Sequence, residues 1–263
     1  MHRKSLKICR YIFVSLLLVL IVPNLEAISR QGNKSEFLIP ASPIREVISK
    51  PLASVMEPAM AAVYETMGLG AAGLNRQVFE FAMIGFKKIL ESGRIDNDRI
   101  ISIIDFSKPS SQKRLFVIDL KSQKLLFKTY VAHGMNSGKE MARFFSNTPE
   151  SNKSSLGFYT TSDTYMGKHG YSLHLNGLEK GFNDKAFERD IVMHAADYVN
   201  ESVIRSTGYA GRSWGCPAVP EKLSKPIIDQ IKNGTCLFIY APDRNYMHRS
   251  QLIKAMPLDI ANS

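Results

Sequence analysis

The stretch Gly211-Arg212-Ser213-Trp214-Gly215-Cys216-Pro217 sets a single cysteine between a glycine and a proline. Gly215 opens backbone angles closed to other residues, so the chain can turn tightly just before the thiol. Pro217 fixes φ just after it and brings no N–H to a strand or helix ladder. A cysteine flanked this way belongs at an irregular point of the backbone, held by its neighbours, which is where a nucleophile is useful. Only the thiolate attacks well, and a free thiol is mostly protonated near neutral pH, so such a nucleophile needs a base. Ile191-Val192-Met193-His194 reads as a short apolar strand ending in a histidine, and His194 is the candidate base. An imidazole there can take the thiol proton and later return it to a leaving amine. A cysteine and a histidine far apart in sequence, each on a strand edge or loop, is the usual layout of a Cys–His nucleophilic pair.

The other residues of the turn have roles that follow from their chemistry. Ser213 can hydrogen-bond within the turn, and the N–H groups of Trp214, Gly215 and Cys216 can point at the oxygen of a tetrahedral intermediate. Trp214 either walls a substrate groove or anchors the core. His133, His169 and His174 compete with His194 for the role of base. No His-x-x-x-His or Cys-x-x-Cys spacing occurs, so the sequence implies neither a metal nor any other cofactor. Asp and Glu are too scattered to single out a carboxylate pair for glycoside hydrolysis.

The elements that must position these residues can be read from periodicity. Ser54–Met67 and Arg76–Ser92 carry apolar residues at helical spacing, with Asn75 as N-cap and Gly93 as stop, and predict a helical hairpin over 54–93. From Arg99 the period changes. Ile100–Phe106 is a β-branched run, and residues 114–119 and 124–131 flank a polar turn as a hairpin. Residues 135–155 form a long polar loop. Gly157–Thr161, Tyr171–Leu175 and Ile191–His194 are further strands. Leu178–Arg189 reads as loop with one helical turn, Glu221–Asn233 as a helix and Thr235–Tyr240 as a buried strand. The expected fold class is mostly β, with one or two short helices, behind an N-terminal helical hairpin. The expected units are 1–27, 28–53, 54–93, a catalytic domain over 98–245 and a tail over 246–263.

The 263-residue chain opens with Arg3, Lys4, Lys7 and Arg10, then an apolar run from Tyr11 to Val22, then Pro23-Asn24-Leu25-Glu26-Ala27. Basic, apolar, small-residue is the order of a secretory signal, and the apolar run of about 12 residues is short against the ~20 that span a bilayer. The expectation is an exported protein of the periplasm or cell envelope, touching membrane only through that segment if it is not cleaved. Residues 28–53 read as a linker or arm. The whole chain carries +10, and removing four Lys/Arg and one Glu with residues 1–27 leaves +7. The basic residues are scattered, which argues against nucleic acid and suits an anionic polymer such as cell wall. Of three cysteines, Cys216 and Cys236 would remain after cleavage, too few for a disulfide framework but enough for one bridge.

Ser213-Trp214-Gly215-Cys216-Pro217, preceded by Ile191-Val192-Met193-His194, resembles the catalytic signature of the murein L,D-transpeptidases of YkuD type, in particular the subfamily carrying Gly-Arg-Ser-Trp-Gly-Cys-Pro. Tyr171-Ser172-Leu173, Gly177-Leu178-Glu179, Gly181-Phe182-Asn183-Asp184 and His194 through Val199 agree in order, so the resemblance covers about Leu115 to Pro242. It implies a β-rich sandwich or barrel and an acyl-enzyme route on peptidoglycan stem peptides. By that likeness Cys216 attacks the carbonyl between a diamino acid and D-Ala, His194 protonates the departing D-Ala, and a second stem's amine takes the acyl group as a 3→3 cross-link. Water as acceptor would make the chain an L,D-carboxypeptidase. Carbapenems would be expected to acylate the same thiol. A reading from a different class is a non-enzymatic wall-binding protein with a Cys216–Cys236 disulfide. Ala195 and Pro217 depart from the wider family pattern, leaving substrate carboxylate recognition unassigned. Arg212 is available for that contact, and Tyr171 and His174 are further candidates for contact with substrate.

Overall fold

A computed structural model describes residues 52–254 of the chain. The expected signal segment, almost all of the linker and the last nine residues lie outside that range. The predicted helical periodicity appears as α1 (Leu52–Thr66) and α2 (Arg76–Glu91). Asn75 caps α2 as expected, its side-chain oxygen accepting from the N–H of Gln77 at 2.8 Å and of Val78 at 3.4 Å. Gly93 takes φ +68° just past the C-cap residue, Ser92, a left-handed conformation that glycine enters freely. The apolar face of α2, with Val78, Phe79, Ala82, Phe86 and Ile89 buried, packs on the sheet. Gly85 permits the closeness of that contact, since a Cβ there would sit 2.0 Å from the ring of Phe158.

Eight strands form one sheet: β1 (Ile100–Asp105), β2 (Leu115–Asp119), β3 (Lys124–Thr129), β4 (Gly157–Gly167), β5 (Gly170–Gly177), β6 (Val192–Ala196), β7 (Ala218–Pro220) and β8 (Cys236–Tyr240). Their order is β3-β2-β1-β8-β4-β5-β6-β7. β1 pairs with β8, and β6 with β7, in parallel; the other neighbours are antiparallel. Every residue of β1, β2 and β8 is buried, so the middle of the sheet is covered on both faces and reads as continuous apolar runs. The helix predicted from Glu221 is α4 (Glu221–Ile231), which packs against β1, β5, β6 and β7. The fold is therefore mostly β with a few short helices, as the sequence predicts.

Three elements escape the sequence pattern, each for a physical reason. α3 (Glu201–Thr207) buries none of its residues and so shows no apolar face. β7 has three residues, too few to display a period. α5 (Arg244–Arg249) lies in the segment read as the domain's end and its tail, yet Tyr246 is buried there and donates from its hydroxyl to Glu179 at 2.8 Å. Two predicted strands also prove to be the halves of one long hairpin. β4 runs on to Gly167, but a register shift between Thr161 and Thr164 breaks its alternation, and the outer half is largely exposed, its apolar Met166 included. The tip of that hairpin, at Lys168 and His169, reaches the site described next.

Candidate active site

The cysteine turn is built from backbone pairing and one hydroxyl. Ser213 donates its N–H to the His133 carbonyl at 3.0 Å, and Met135 donates to the Ser213 carbonyl at 2.7 Å. The Ser213 hydroxyl donates to the Cys216 carbonyl at 2.6 Å and accepts the Gly215 N–H at 3.1 Å. A serine bonding two and three residues ahead is a local turn brace. This corrects one expectation: the Gly215 N–H is occupied by Ser213, so of the three N–H groups considered for a developing oxyanion only those of Trp214 and Cys216 remain. Gly215 has φ +128°, and a Cβ there would meet the Lys153 carbonyl at 2.8 Å. Ser154 fixes the turn from the other side, donating from its hydroxyl to the Gly215 carbonyl and accepting the Gly134 N–H, both at 3.0 Å. A Gly215→Ala variant combines strained backbone with a clash against a carbonyl. It should lose about 1–3 kcal/mol of stability, measured by thermal unfolding, and should lose activity beyond what the folded fraction accounts for.

His194 stands on β6 opposite Ala218 of β7, two residues after Cys216. Cys216 itself lies outside β7, in the bend that leads into it. Within hydrogen-bond geometry the ring is fixed by its own strand: Nδ1 lies 2.8 Å from the Ala195 carbonyl, so Nδ1 carries the proton and Nε2 presents a lone pair. The ring of His169, at the β4–β5 tip, stacks on that of His194 with centroids 4.3 Å apart and planes 24° apart. The sequence offers no sign of this contact, because it depends on how far an exposed hairpin reaches.

Burial sets the resting protonation of the pair. It lowers the His194 pKa from the ordinary 6.5, against the favourable effect of the Ala195 carbonyl, and His169 lowers it further. Cys216 is half-buried as a residue, but its sulfur is enclosed closely enough that desolvation raises the thiol above its ordinary value. The Val192 N–H and the Arg189 guanidinium pull the other way. The thiol donates to the Asp190 carbonyl at 3.5 Å. Both shifts favour the uncharged forms, a neutral thiol at Cys216 and a neutral imidazole at His194.

The remaining predicted residues divide by the face they occupy. His174 pairs with Val192 across β5 and β6, so alternation puts His174, Val192 and His194 on one face. There His174 stacks on Tyr165 at 4.5 Å, bonds Asp163 at 3.1 Å and lies near the exposed Phe187. Tyr171, an odd number of residues away, falls on the other face. Its hydroxyl is held at 2.8 Å by Asp229 of α4 and by Lys232, so it is not brought to the thiol side of the sheet. Trp214 is 73% exposed beside Cys216, which removes the core-anchor alternative. Arg212 is exposed, and its guanidinium reaches the carbonyls of Met135 and Gly138 at 3.4 Å. His133, one of the competing histidines, is buried beside Arg114 and driven down to about 3 by burial first and by that cation second, so it stays neutral and structural. The disulfide alternative is overturned: Cys216 and Cys236 are both free. Cys236 lies in β8, with three strands between it and β7 in the sheet order, and its thiol is fully buried there. A disulfide needs Cα atoms within about 7 Å.

Residues 70–240 match the L,D-transpeptidase catalytic domain family of YkuD type. The chain belongs to that family. The match starts well before Leu115 and takes in α2, so this helix is part of the L,D-transpeptidase domain as the family defines it. The solved structures that resemble this chain include an L,D-transpeptidase from Mycobacterium smegmatis, 13% identical with a TM-score of 0.33, covering 54% of this chain and 59% of that one. Another is the helical cell shape determining protein Pgp2 from Campylobacter jejuni, 12% identical with a TM-score of 0.38, covering 61% of this chain and 54% of that one. Less than two thirds of either structure is spanned. No curated protein sequence matches the chain.

Proposed function

We propose that this chain is an exported L,D-transpeptidase whose nucleophile is Cys216 and whose base is His194. The observation that carries this reading is the parallel pairing of β6 with β7. It sets a histidine with a fixed tautomer against the strand that follows the cysteine turn. The cysteine sulfur attacks the carbonyl joining the diamino acid to D-Ala in a tetrapeptide stem, and its proton passes to His194 Nε2. Collapse of the tetrahedral intermediate breaks the C–N bond, and the same proton leaves with the D-Ala amine. The resulting thioester is attacked by the side-chain amine of a second stem, which gives its proton to His194. The C–S bond breaks, an amide forms and the thiol is restored. One amide is exchanged for another, so no energy source or cofactor enters the balance.

Trp214, two residues before Cys216, and Phe187, near His174, are exposed aromatic side chains and suit contact with an extended peptide. The basic balance of the chain suits an anionic wall polymer. The test is incubation with tetrapeptide muropeptides followed by mass spectrometry. Dimers joined 3→3 with free D-Ala are the expected products; trimmed tripeptides alone would make water the acceptor, and unchanged tetrapeptides would refute both.

The pH dependence follows from the protonation of the base. His194 must be neutral to take the thiol proton, and its pKa lies below the ordinary imidazole value because the ring is buried. Raising the pH from acid should therefore switch kcat/KM on through a limb centred below 6.5. A limb centred at or above that value contradicts the buried neutral base.

A further inference from the structure

Arg189 lies in the polar loop before β6 and plays no part in the reaction as written above. Its guanidinium is half-buried and gathers neutral acceptors. Nη1 donates to the Ser146 carbonyl at 2.8 Å and to the Ser155 hydroxyl. Nη2 donates to the Lys153 carbonyl at 2.7 Å and to the Ser151 hydroxyl at 3.3 Å. The four N–H bonds of the two terminal nitrogens are thus all engaged, so these nitrogens have none left to grip a substrate carboxylate. Arg189 pairs with no carboxylate among the described residues; every acceptor it bonds is uncharged. A partly buried cation without a counter-charge is costly unless some group nearby becomes negative.

That group is within reach. The Nη2 atom would lie 3.4 Å from a Cβ on Gly215, the residue before Cys216. The thiol itself donates to the carbonyl of Asp190, the next residue to Arg189. The loop that Arg189 clamps also touches the cysteine turn directly, through Ser154 to the Gly215 carbonyl and through the Lys153 carbonyl against Gly215. The other charged or titratable side chains that bear on the sulfur do not supply positive charge. Asp190 is acidic, and burial pushes the Tyr198 hydroxyl up to about 12, so it stays neutral.

We propose that Arg189 is a positioning residue for the Cys216 thiolate: its charge stabilises the sulfur anion while its hydrogen bonds hold residues 146–155 against the cysteine turn. The proposal rests on Cys216 being the nucleophile, as read above, but not on the identity of the substrate. Arginine suits this use because its planar fork serves four acceptors at once while it carries the charge.

Alkylation tests this without peptidoglycan, so its failure is separable from failure of the transpeptidase reading. Iodoacetamide and the anionic iodoacetate both transfer a carbon to the thiolate and release iodide, and the labelled Cys216 peptide is quantified by mass spectrometry. In the Arg189→Gln variant the alkaline rise of the rate should move to higher pH, with about tenfold slower labelling at any pH below it. The ratio of iodoacetate to iodoacetamide rates should fall by about threefold or more. Arg189→Lys keeps the charge without the fork and should stay within about threefold of wild type on both readouts. A Gln variant that folds and labels like wild type overturns the proposal. So does a Lys variant displaced by a full pH unit or more, which would leave only loop positioning; this comparison decides the matter even if the Gln variant does not fold.

Discussion

Replacing Cys216 with alanine should abolish the formation of 3→3 dimers, a loss of at least about a thousandfold in rate, with unfolding almost unchanged. The size of the effect follows from the chemistry. The one other described cysteine, Cys236, cannot substitute as a thiol nucleophile, because it is fully buried in β8 and its thiol is pushed far above its ordinary value by desolvation. The small effect on the fold follows from the turn. Ser213 braces the backbone carbonyl of Cys216, not its side chain, and Ser154 braces that of Gly215. Those bonds survive the loss of the sulfur, so the turn keeps its shape. Serine at 216 should fare little better, because an alkoxide is far harder to form than a thiolate beside a neutral imidazole. Product analysis by mass spectrometry, with thermal unfolding in parallel, checks both halves.

Replacing His194 with glutamine should lower kcat/KM by about 10² to 10⁴. Glutamine keeps a donor for the Ala195 carbonyl and fills much of the same volume, so β6 should still pair with β7. What it lacks is a group that can take the thiol proton and return it to D-Ala. The remedy is specific: at high pH hydroxide supplies the thiolate, so Cys216 of the variant should still be alkylated there. A variant that loses activity and also resists alkylation at high pH would point to a collapsed site, not a missing base. His169 stacks on the same ring, so the substitution also removes one face of that contact. The hairpin tip should become more open to proteolysis as a result.

The residues that could do the chemistry were legible because local covalent facts identify them. A glycine before and a proline after Cys216 mark an irregular turn, and an apolar run ending at His194 marks a strand end. The helix α2 was legible to its cap, since Asn75 and Gly93 act within a few residues of their own position. What could not be read is whatever depends on distance along the chain. Arg189 is one charged residue among several in a polar loop, and only folding shows that its fork closes on Ser146, Ser151, Lys153 and Ser155. The placement of Tyr171 on the face opposite His194 follows from strand register, which a sequence does not state. The occupied Gly215 N–H depends on the rotamer of Ser213. The long hairpin does not show in the sequence because its outer half is largely exposed and interrupted by a bulge, so no buried-exposed alternation survives there.

The trapped intermediate tests the central claim most directly. Brief exposure of the protein to a tetrapeptide muropeptide, acid quenching and peptide mapping should find the Cys216 peptide heavier by the acyl group of the stem after loss of D-Ala. The same mass should be absent from the Cys216→Ala variant and labile to hydroxylamine, as a thioester is. Substrate turnover with no adduct on Cys216, or with the acyl group carried by another residue, would contradict the account.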